Sequence, residues 1–326
     1  MSVLTFGELL LRLSPPGEER LLETPVLHTF FGGAEANVAV ALRHLGVPSS
    51  YITRLPEGPL GDEGLDALRR EGVAVDRVLR GGSRLGLYFV EPGADLRAMR
   101  VVYDRAGSAF AQITPADVDW PAALAGARWL HGTGITPALG DGPAATLTDG
   151  FAAARERGVT VSLDLNYREA LWRGRDPRPV LEPLARRADV LIGNREAVRA
   201  MLGVEANGKG DALAAALADR FGCRAVAITQ REILGPREHA WSAVLYDAAT
   251  RTLARSARHV VQVVDRVGGG DSFTAGLIAA LLADRAPQDA VEFAAAAGAL
   301  KLGQAGDFGR STAADVSRLV ETARCT

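Results

Sequence analysis

Short apolar runs alternate along the chain with longer stretches in which apolar residues recur at helical spacing. The short runs are typical of buried strands, and the longer stretches predict helices that pack against them. Strands that alternate with helices predict an α/β protein with a mostly parallel central sheet covered by helices on both faces. The strands are predicted at 3–7, 127–131, 160–165, 189–194, 225–229 and 241–246, and the helices at 38–45, 146–158, 195–202, 273–283 and 290–302.

One region interrupts this alternation and predicts a second, smaller sheet. Residues 85–91 and 97–103 are β-forming runs joined by turn residues at 92–95. Residues 18–31 mix charged and β-forming side chains without a helical period, which predicts an exposed ribbon. We therefore expect a single domain over residues 1–326, with a β lid formed by roughly 11–31 and 80–105. Such a lid would exclude water from a site beneath it.

A strand, a glycine turn and a helix are predicted in succession near the C-terminus. The valine-rich run 260–264 predicts a buried strand, and the small apolar residues 273–283 predict a helix. Gly268, Gly269 and Gly270 stand between them. Their N–H groups and the start of the helix would form a concavity of positive partial charge, which suits a phosphate group.

Asp271 follows these glycines directly, so that a carboxylate would stand beside the bound anion. It could then accept the proton of a hydroxyl group while the amides hold a phosphoryl group, which is the chemistry of a kinase. The alternative is that Asp271 caps the helix and the glycines form a tight turn.

Two other phosphate-binding motifs fail on spacing. A dinucleotide fingerprint requires glycine or alanine where this chain has Phe273. Residues 203–210 are close to a P-loop, but Gly210 replaces the Ser or Thr that holds the metal, and no strand precedes the segment. We expect a polar turn there.

Further polar residues are predicted at the carboxyl ends of the strands, where ligands bind in sheets of this kind. Gly33 and Asn37 precede the helix at 38–45. They belong either to a loop that binds a ligand or to a plain loop before a core helix. The alanine-rich helix 290–302 is either core packing or one wall of a nucleobase slot. The other residues expected at this rim are Asn166, Arg168, Asn194, Thr229 and the turn at Gly268.

Composition excludes several classes of protein. The 326 residues carry 37 Lys and Arg against 39 Asp and Glu, without a basic block that would bind nucleic acid or a membrane surface. Cys223 and Cys325 cannot form a disulfide framework, and the five histidines lack metal-ligand spacing. Charged residues at Glu8 and Arg12 argue against a signal peptide. We expect a soluble, cytoplasmic protein.

These residues together resemble the ribokinase-like (PfkB) carbohydrate kinase family over essentially the whole chain. Residues 32–39, Gly-Gly-Ala-Glu-Ala-Asn-Val-Ala, are similar to its N-terminal glycine signature, and residues 265–276 to its C-terminal signature around the catalytic aspartate. Within the family, the chain is most similar to 2-keto-3-deoxygluconate kinases. The stretches that carry this likeness are 7–14, 103–110, 134–139, 164–172 and 306–308.

The resemblance implies a role for each matching residue. Asp271 would be the catalytic base, and the amides of Gly268, Gly269 and Gly270 would stabilise the transferring phosphoryl group. Arg105 and Arg168 are candidates to pair with the carboxylate of a sugar acid. The implied sugar site is Gly33, Asn37, Tyr88, Tyr103, Arg105, Arg168, Asp271 and Asp307, and the implied ATP site is Asn166, Arg168, Asn194, Thr229, Gly268 and Gly270, with Glu196 for Mg²⁺.

The chain departs from the family pattern at three places. Gly269 stands where many relatives have alanine, which glycine can replace without steric conflict. Glu196 lies two residues after Asn194, whereas many relatives carry their glutamate at the third position. Residues 230–232, Gln-Arg-Glu, replace a glycine-rich nucleotide loop.

The function implied is transfer of the ATP γ-phosphoryl group to 2-keto-3-deoxygluconate, with Mg²⁺. A fructokinase or another ketose kinase is the first alternative, and a non-catalytic protein that binds sugar or nucleotide is the second. Relatives often associate through their lids, and exposed apolar β residues give a physical motive, so we expect a homo-oligomer.

Overall fold

Strands and helices alternate through most of the computed structural model, which describes residues 2–94, 97–205 and 210–325. The strands are β1 Ser2–Phe6, β2 Leu10–Ser14, β3 His28–Gly32, β4 Ser49–Ile52, β5 Arg54–Leu55, β6 Leu79–Arg80, β7 Gly86–Glu91, β8 Arg100–Asp104, β9 Ala127–Thr133, β10 Thr160–Asp164, β11 Val190–Asn194, β12 Ala225–Ile233, β13 Glu238–Asp247, β14 Thr252–Arg255 and β15 His259–Gln262. The α-helices are α1 Ala34–His44, α2 Pro59–Arg70, α3 Trp120–Ala123, α4 Asp141–Glu156, α5 Glu169–Trp172, α6 Arg178–Ala185, α7 Arg195–Leu202, α8 Asp211–Phe221, α9 Gly269–Leu282, α10 Pro287–Leu302 and α11 Ala313–Cys325.

The central sheet has nine strands, and its parallel part follows the order β4, β1, β9, β10, β11, β12. Within it, Leu163 of β10 lies opposite Leu191 of β11. β13 pairs antiparallel with β12, and both β14 and β15 pair with β13. The predicted, mostly parallel sheet is confirmed, with an antiparallel edge beyond β12.

Two apolar cores cover opposite faces of this sheet. Trp129 and Leu130 are neighbours in β9 and are both buried, but they belong to different cores. Successive side chains of a strand point to opposite faces, so a sheet with this pattern requires helices on both sides. Helices α1, α9, α10 and α11 pack on one face, and α3, α4, α6, α7 and α8 on the other.

The alanine-rich helix α10 is core packing along most of its length. A Cβ atom on Gly276 of α9 would lie only 3.0 Å from Cα of Ala294, so small residues allow the two helices to approach closely. Of the two alternatives left open for this helix, core packing therefore holds, and Leu302 at its end reaches the cavity described below.

The predicted smaller sheet is also present. It consists of β3, β2, β7 and β8 in that order, with β2 and β7 parallel and the outer pairs antiparallel. The turn predicted at 92–95 and the predicted polar turn at 203–210 each lie partly outside the described residues, which omit 95–96 and 206–209. We refer to this four-stranded sheet as the lid.

The strand predicted at 260–264 is shorter and more exposed than its valines indicate. It is β15, it ends at Gln262, and it pairs only with β13. Val260 is 54% exposed and Val264 is 65% exposed. The prediction of a buried strand is wrong because this segment pairs on one side only, at the antiparallel edge of the sheet.

Several helices begin earlier than their apolar pattern predicts. Helix α9 starts at Gly269 and not at 273, and α4 starts at Asp141 and not at 146. The first turn of a helix has N–H groups without helical acceptors and often carries small or polar residues, so it lacks the apolar period. Among the described residues, no helix combines the length and the hydropathy that crossing a membrane requires.

Candidate active site

A cavity of about 660 Å³ lies at the carboxyl ends of the parallel strands, with side chains of the lid in its wall. Every residue predicted for the site lines it, which brings together positions from both ends of the chain. These residues are Gly33, Asn37, Tyr88, Tyr103, Arg105, Asn166, Arg168, Asn194, Glu196, Thr229, Gly268, Gly269, Gly270, Asp271 and Asp307.

The glycine turn forms the N-terminus of α9. Gly268 has a φ of 83°, in the left-handed region, and a Cβ atom there would lie 2.2 Å from the backbone oxygen of Asp307. A Cβ atom on Gly270 would meet no atom within 4 Å, because that position faces open space. The first N–H groups of the helix are thus presented at the cavity wall with their positive partial charge, as an anion requires.

Asp271 lies in the first turn of this helix, and its carboxylate is buried. Its Oδ2 accepts a hydrogen bond from Nδ2 of Asn37 at 2.7 Å, and its Oδ1 accepts one from Nδ2 of Asn166 at 3.3 Å. The carboxylate is therefore held by two side chains across the cavity, and the residue at the N-cap position is Gly268. These contacts disfavour the alternative in which Asp271 only caps a helix.

Desolvation raises the pKa of Asp271 above its ordinary value. The hydrogen bond from Asn37 and the positive charge of Arg168 act in the opposite direction. A carboxylate with a raised pKa is a stronger base than an exposed aspartate, which suits proton abstraction from a hydroxyl group.

Glu35 and Asp164 are buried carboxyl groups that also line the cavity and were not predicted from the sequence. Desolvation raises the pKa values of Glu35 and Asp164 to about 7 each, and the nearby charge of Asp271 adds to both shifts. Oε1 of Glu35 accepts a hydrogen bond from Thr133 at 2.6 Å. Glu35 belongs to the N-terminal glycine signature at residues 32–39, and this position could have identified it as a site residue.

The lid contributes aromatic and charged groups to one end of the cavity. The rings of Tyr88 and Tyr103 stack with centroids 6.0 Å apart, and the Tyr88 hydroxyl donates to Asp307. Nη1 of Arg12 lies 3.0 Å from Asp307 and 2.7 Å from Asp265. Burial raises the pKa of Asp307 to about 6 in spite of this cation. Arg12 was missed because it stands in an otherwise apolar β run.

Arg105 does not present an unpaired charge to the cavity. Its Nε donates to Oε2 of Glu8 at 2.7 Å, and both side chains are buried. The predicted role of Arg105 as the partner of a substrate carboxylate is therefore weakened, because its charge is already balanced. Glu8 was not a predicted site residue, and no local sequence pattern links it to Arg105.

Beside β11 and β12, the cavity carries cations that have no carboxylate partner of this kind among the described residues. Arg231 of β12 and Arg266 line this end, and the exposed Arg168 lies within electrostatic range of both Arg231 and Asp271. Desolvation and the charges of Arg266 and Arg168 lower the pKa of Arg231. Neither Arg231 nor Arg266 was a predicted site residue, although Arg231 belongs to the segment that departs from the family pattern.

Asn194 and Thr229 also stand at this end, as predicted. Oδ1 of Asn194 accepts a hydrogen bond from N–H of Ala197 at 2.8 Å and so caps α7, while Thr229 donates to the oxygen of Gly193 at 3.4 Å. Each residue thus has a structural role. Glu196, in the first turn of α7, is exposed and lines the cavity beside them.

Comparison with known proteins identifies the family. The model of the pfkB family of carbohydrate kinases matches residues 1–311. The chain belongs to this family. A 2-dehydro-3-deoxygalactonokinase from Haloferax volcanii is 33% identical over 318 residues, which cover 98% of this chain and 96% of that protein.

Solved structures agree with this assignment. The crystal structure of 2-dehydro-3-deoxygluconokinase from Thermotoga maritima is 41% identical, with a TM-score of 0.95 and 98% of each chain covered. A putative ribokinase II from E. coli in complex with ATP and Mg²⁺ shares the fold, with 20% identity, a TM-score of 0.83, and coverage of 98% of this chain and 99% of that one. The predicted ribokinase-like fold and carbohydrate kinase family are both confirmed.

Replacement of Gly268 by alanine is expected to reduce both stability and activity. The added Cβ would lie 2.2 Å from a backbone oxygen, at a residue in the left-handed conformation. We expect the free energy of unfolding to fall by at least about 2 kcal/mol, measured by denaturation in urea.

Gly269→Ala is the matched control. Its Cβ would lie 2.9 Å from Cδ2 of Leu302, the end of a side chain that can move, and alanine is favoured inside a helix. We expect a change below about 1 kcal/mol. An equal loss of stability in the two variants would contradict the steric explanation for Gly268.

Proposed function

We propose that this carbohydrate kinase transfers the γ-phosphoryl group of ATP to a hydroxyl group of 2-keto-3-deoxygluconate, which gives 2-keto-3-deoxy-6-phosphogluconate. The observation that carries the chemistry is the buried Asp271 carboxylate directly after the amides of the glycine turn, in one cavity. The sugar acid is favoured over a neutral ketose by the likeness to 2-dehydro-3-deoxygluconokinase at 41% identity over nearly the whole chain.

In the proposed reaction Asp271 accepts the proton of the sugar hydroxyl as the new oxygen–phosphorus bond forms. The bond between the γ-phosphorus and the bridging oxygen breaks at the same time, and ADP leaves with the electron pair. The N–H groups of the glycine turn donate to the equatorial oxygens of the transferring group, where they stabilise negative charge. Asn37 and Asn166 hold the base in position through their hydrogen bonds.

The triphosphate would lie at the end of the cavity that carries unmatched cations. Arg231 and Arg266 supply positive charge there, and Asn194 and Thr229 stand beside them. Guanidinium groups suit phosphate because their planar N–H donors match its oxygens.

Mg²⁺ would be held mainly by the phosphates and water. Glu196, two residues after Asn194, would be the protein carboxylate that contributes to this site. Among the described residues, no group of three His, Cys, Asp or Glu side chains forms a metal site. This agrees with Mg²⁺, which commonly binds through one or two carboxylates and substrate phosphates. The ion would neutralise charge that develops on the phosphates.

Arg168 is proposed to pair with the carboxylate of the sugar acid. It lines the cavity, and its positive charge lowers the pKa of Asp271. A carboxylate that loses water on binding must be paired, and Arg105 is already engaged by Glu8. The lid residues Tyr88 and Tyr103 would cover the sugar and exclude water.

Localisation and assembly complete the proposal. We expect the enzyme to act in the cytoplasm and to form a homo-oligomer through its lid. Leu22 and Val26, in the segment between β2 and β3, are 85% and 54% exposed. Apolar side chains at such positions would be covered by a second copy.

Incubation with ATP, Mg²⁺ and a panel of sugars is expected to yield phosphorylated 2-keto-3-deoxygluconate, detected by mass spectrometry. The kcat/KM for this acid should exceed that for fructose by at least about 100-fold, since fructose cannot pair with Arg168. The C4 epimer, 2-keto-3-deoxygalactonate, belongs in the panel as a test of stereochemistry. Preference for fructose would favour the ketose kinase, and no turnover of any sugar would favour a binding protein.

Arg168→Ala is expected to raise KM for the sugar acid by at least about tenfold, because the substrate carboxylate loses its partner. KM for ATP should change much less. Arg199→Ala is the matched control, since Arg199 is exposed on α7 and does not line the cavity. An increase confined to KM for ATP would instead assign Arg168 to the nucleotide.

Asp271→Asn is expected to lower kcat by about 10²- to 10⁴-fold, because the amide cannot accept the proton. Binding of the sugar acid, measured by calorimetry, should persist. In the wild-type enzyme kcat/KM should fall as the pH decreases through the pKa of Asp271, which burial raises, since only the ionised form is a base. Unchanged turnover in Asp271→Asn would show that another group is the base.

A further inference from the structure

Lys301 is a charged residue buried inside the apolar helix α10. Its side chain is 1% exposed, although most of its neighbours in the helix are alanine, glycine and leucine. Burial of an ammonium group is unfavourable unless the charge is paired. Nζ donates to the backbone oxygen of Gln304 at 3.0 Å, and in the described part of the chain no carboxylate lies within 4.0 Å of it.

This lysine lies directly behind the glycine turn. A Cβ atom on Gly268 would be 3.1 Å from Cε of Lys301, so the lysine stem is in contact with the turn. The end of α10 is tied to the same region, because N–H of Asp265 donates to the oxygen of Leu302 at 3.2 Å. Lys301 is not among the residues that line the cavity, so its charge acts from the protein side of the turn.

The charged groups around Lys301 come from four parts of the fold. Asp265, before the glycine turn, and Asp271, in α9, favour its protonated form. Arg12 of β2 and Arg310, in the loop between α10 and α11, disfavour the protonated form of Lys301. The ammonium in turn favours the ionised form of Asp271.

We propose that Lys301 is a positioning residue of the kinase, whose buried ammonium adds fixed positive charge behind the glycine turn and favours the ionised form of Asp271. This inference rests on the proposed function. A charge in a region of low dielectric acts strongly over a few ångströms, and it requires no reorganisation when negative charge develops on the transferring group. The ammonium therefore supports both the anion site and the base.

The energetic cost of this lysine supports a functional reason for its presence. Burial lowers the pKa of Lys301 to about 8, so the folded protein holds this proton less tightly than the unfolded chain. Below pH 8 the charged lysine therefore destabilises the fold relative to a neutral side chain. A buried charge that lowers stability and has no carboxylate within 4.0 Å among the described residues favours a role beyond folding.

Lys301→Met tests the inference, because methionine has a similar length and no charge. We expect kcat to fall by at least about tenfold, the Kd for the sugar acid to change less than about threefold, and the melting temperature at pH 7 to stay level or rise. Lys301→Arg keeps the charge and is expected to retain more of the wild-type kcat than Lys301→Met.

The pH profile separates an electrostatic role from a structural one. In the wild-type enzyme kcat/KM for ATP should decline above about pH 8, as Lys301 loses its proton. In Lys301→Met that decline should be absent, and the acidic limb should move to higher pH, because Asp271 has lost a favourable charge. In Lys301→Arg the decline should move to higher pH, since arginine does not titrate in this range.

The possible outcomes distinguish this inference from the proposed function. If the wild-type enzyme phosphorylates a sugar acid and Lys301→Met has the same kcat and pH profile, the inference about Lys301 is overturned and the proposed function stands. If Lys301→Met does not fold, Lys301→Arg provides the test. The inference about Lys301 is then overturned if kcat/KM of Lys301→Arg declines at the same alkaline pH as that of the wild-type enzyme. If the wild-type protein phosphorylates no sugar, the proposed function itself fails.

Discussion

The hydrogen bonds that hold the Asp271 carboxylate connect elements that are distant in the sequence. Asn37 belongs to α1 near the N-terminus, Asn166 follows β10, and Asp271 lies in the first turn of α9. Because the two amides donate to both carboxylate oxygens, the proposed base is oriented by the protein itself. Elements near both ends of the chain must therefore be assembled before the site exists. This makes the catalytic geometry a property of the complete fold.

Charge is distributed unevenly along the cavity, and burial explains how. At the end beneath the lid the ionised groups are buried and paired, as in Arg105 with Glu8 and Arg12 with Asp307. At the end beside β11 and β12, Arg231 is exposed and Arg266 is half-buried. Exposed cations keep their hydration until a ligand replaces it, so they need no protein partner. The proposed nucleotide and sugar acid would thus bind in one cavity at ends of different character.

Most of the fold could be predicted because its elements have strong local patterns. Buried parallel strands are continuous apolar runs, and β9, β10, β11 and β12 begin within a residue of their predicted positions. The exceptions have a common cause. The burial of β15 depends on how many strands pair with it, and the start of α9 depends on a turn that has no apolar period. The first property depends on distant strands, and the second is local but leaves no trace in the apolar pattern.

The sequence by itself determined the alternation of strands and helices, the glycine turn with Asp271, and the family to which the chain belongs. These rest on residues that are adjacent or regularly spaced, where pattern and chemistry coincide. Only the tertiary structure decided which charges are paired. Arg105 pairs with Glu8, which is 97 positions away in the sequence. Lys301 lies beside the glycine turn, although helix α9 and most of α10 separate the two in the sequence. Pairing depends on distance and burial in space, and a linear pattern carries no information about either.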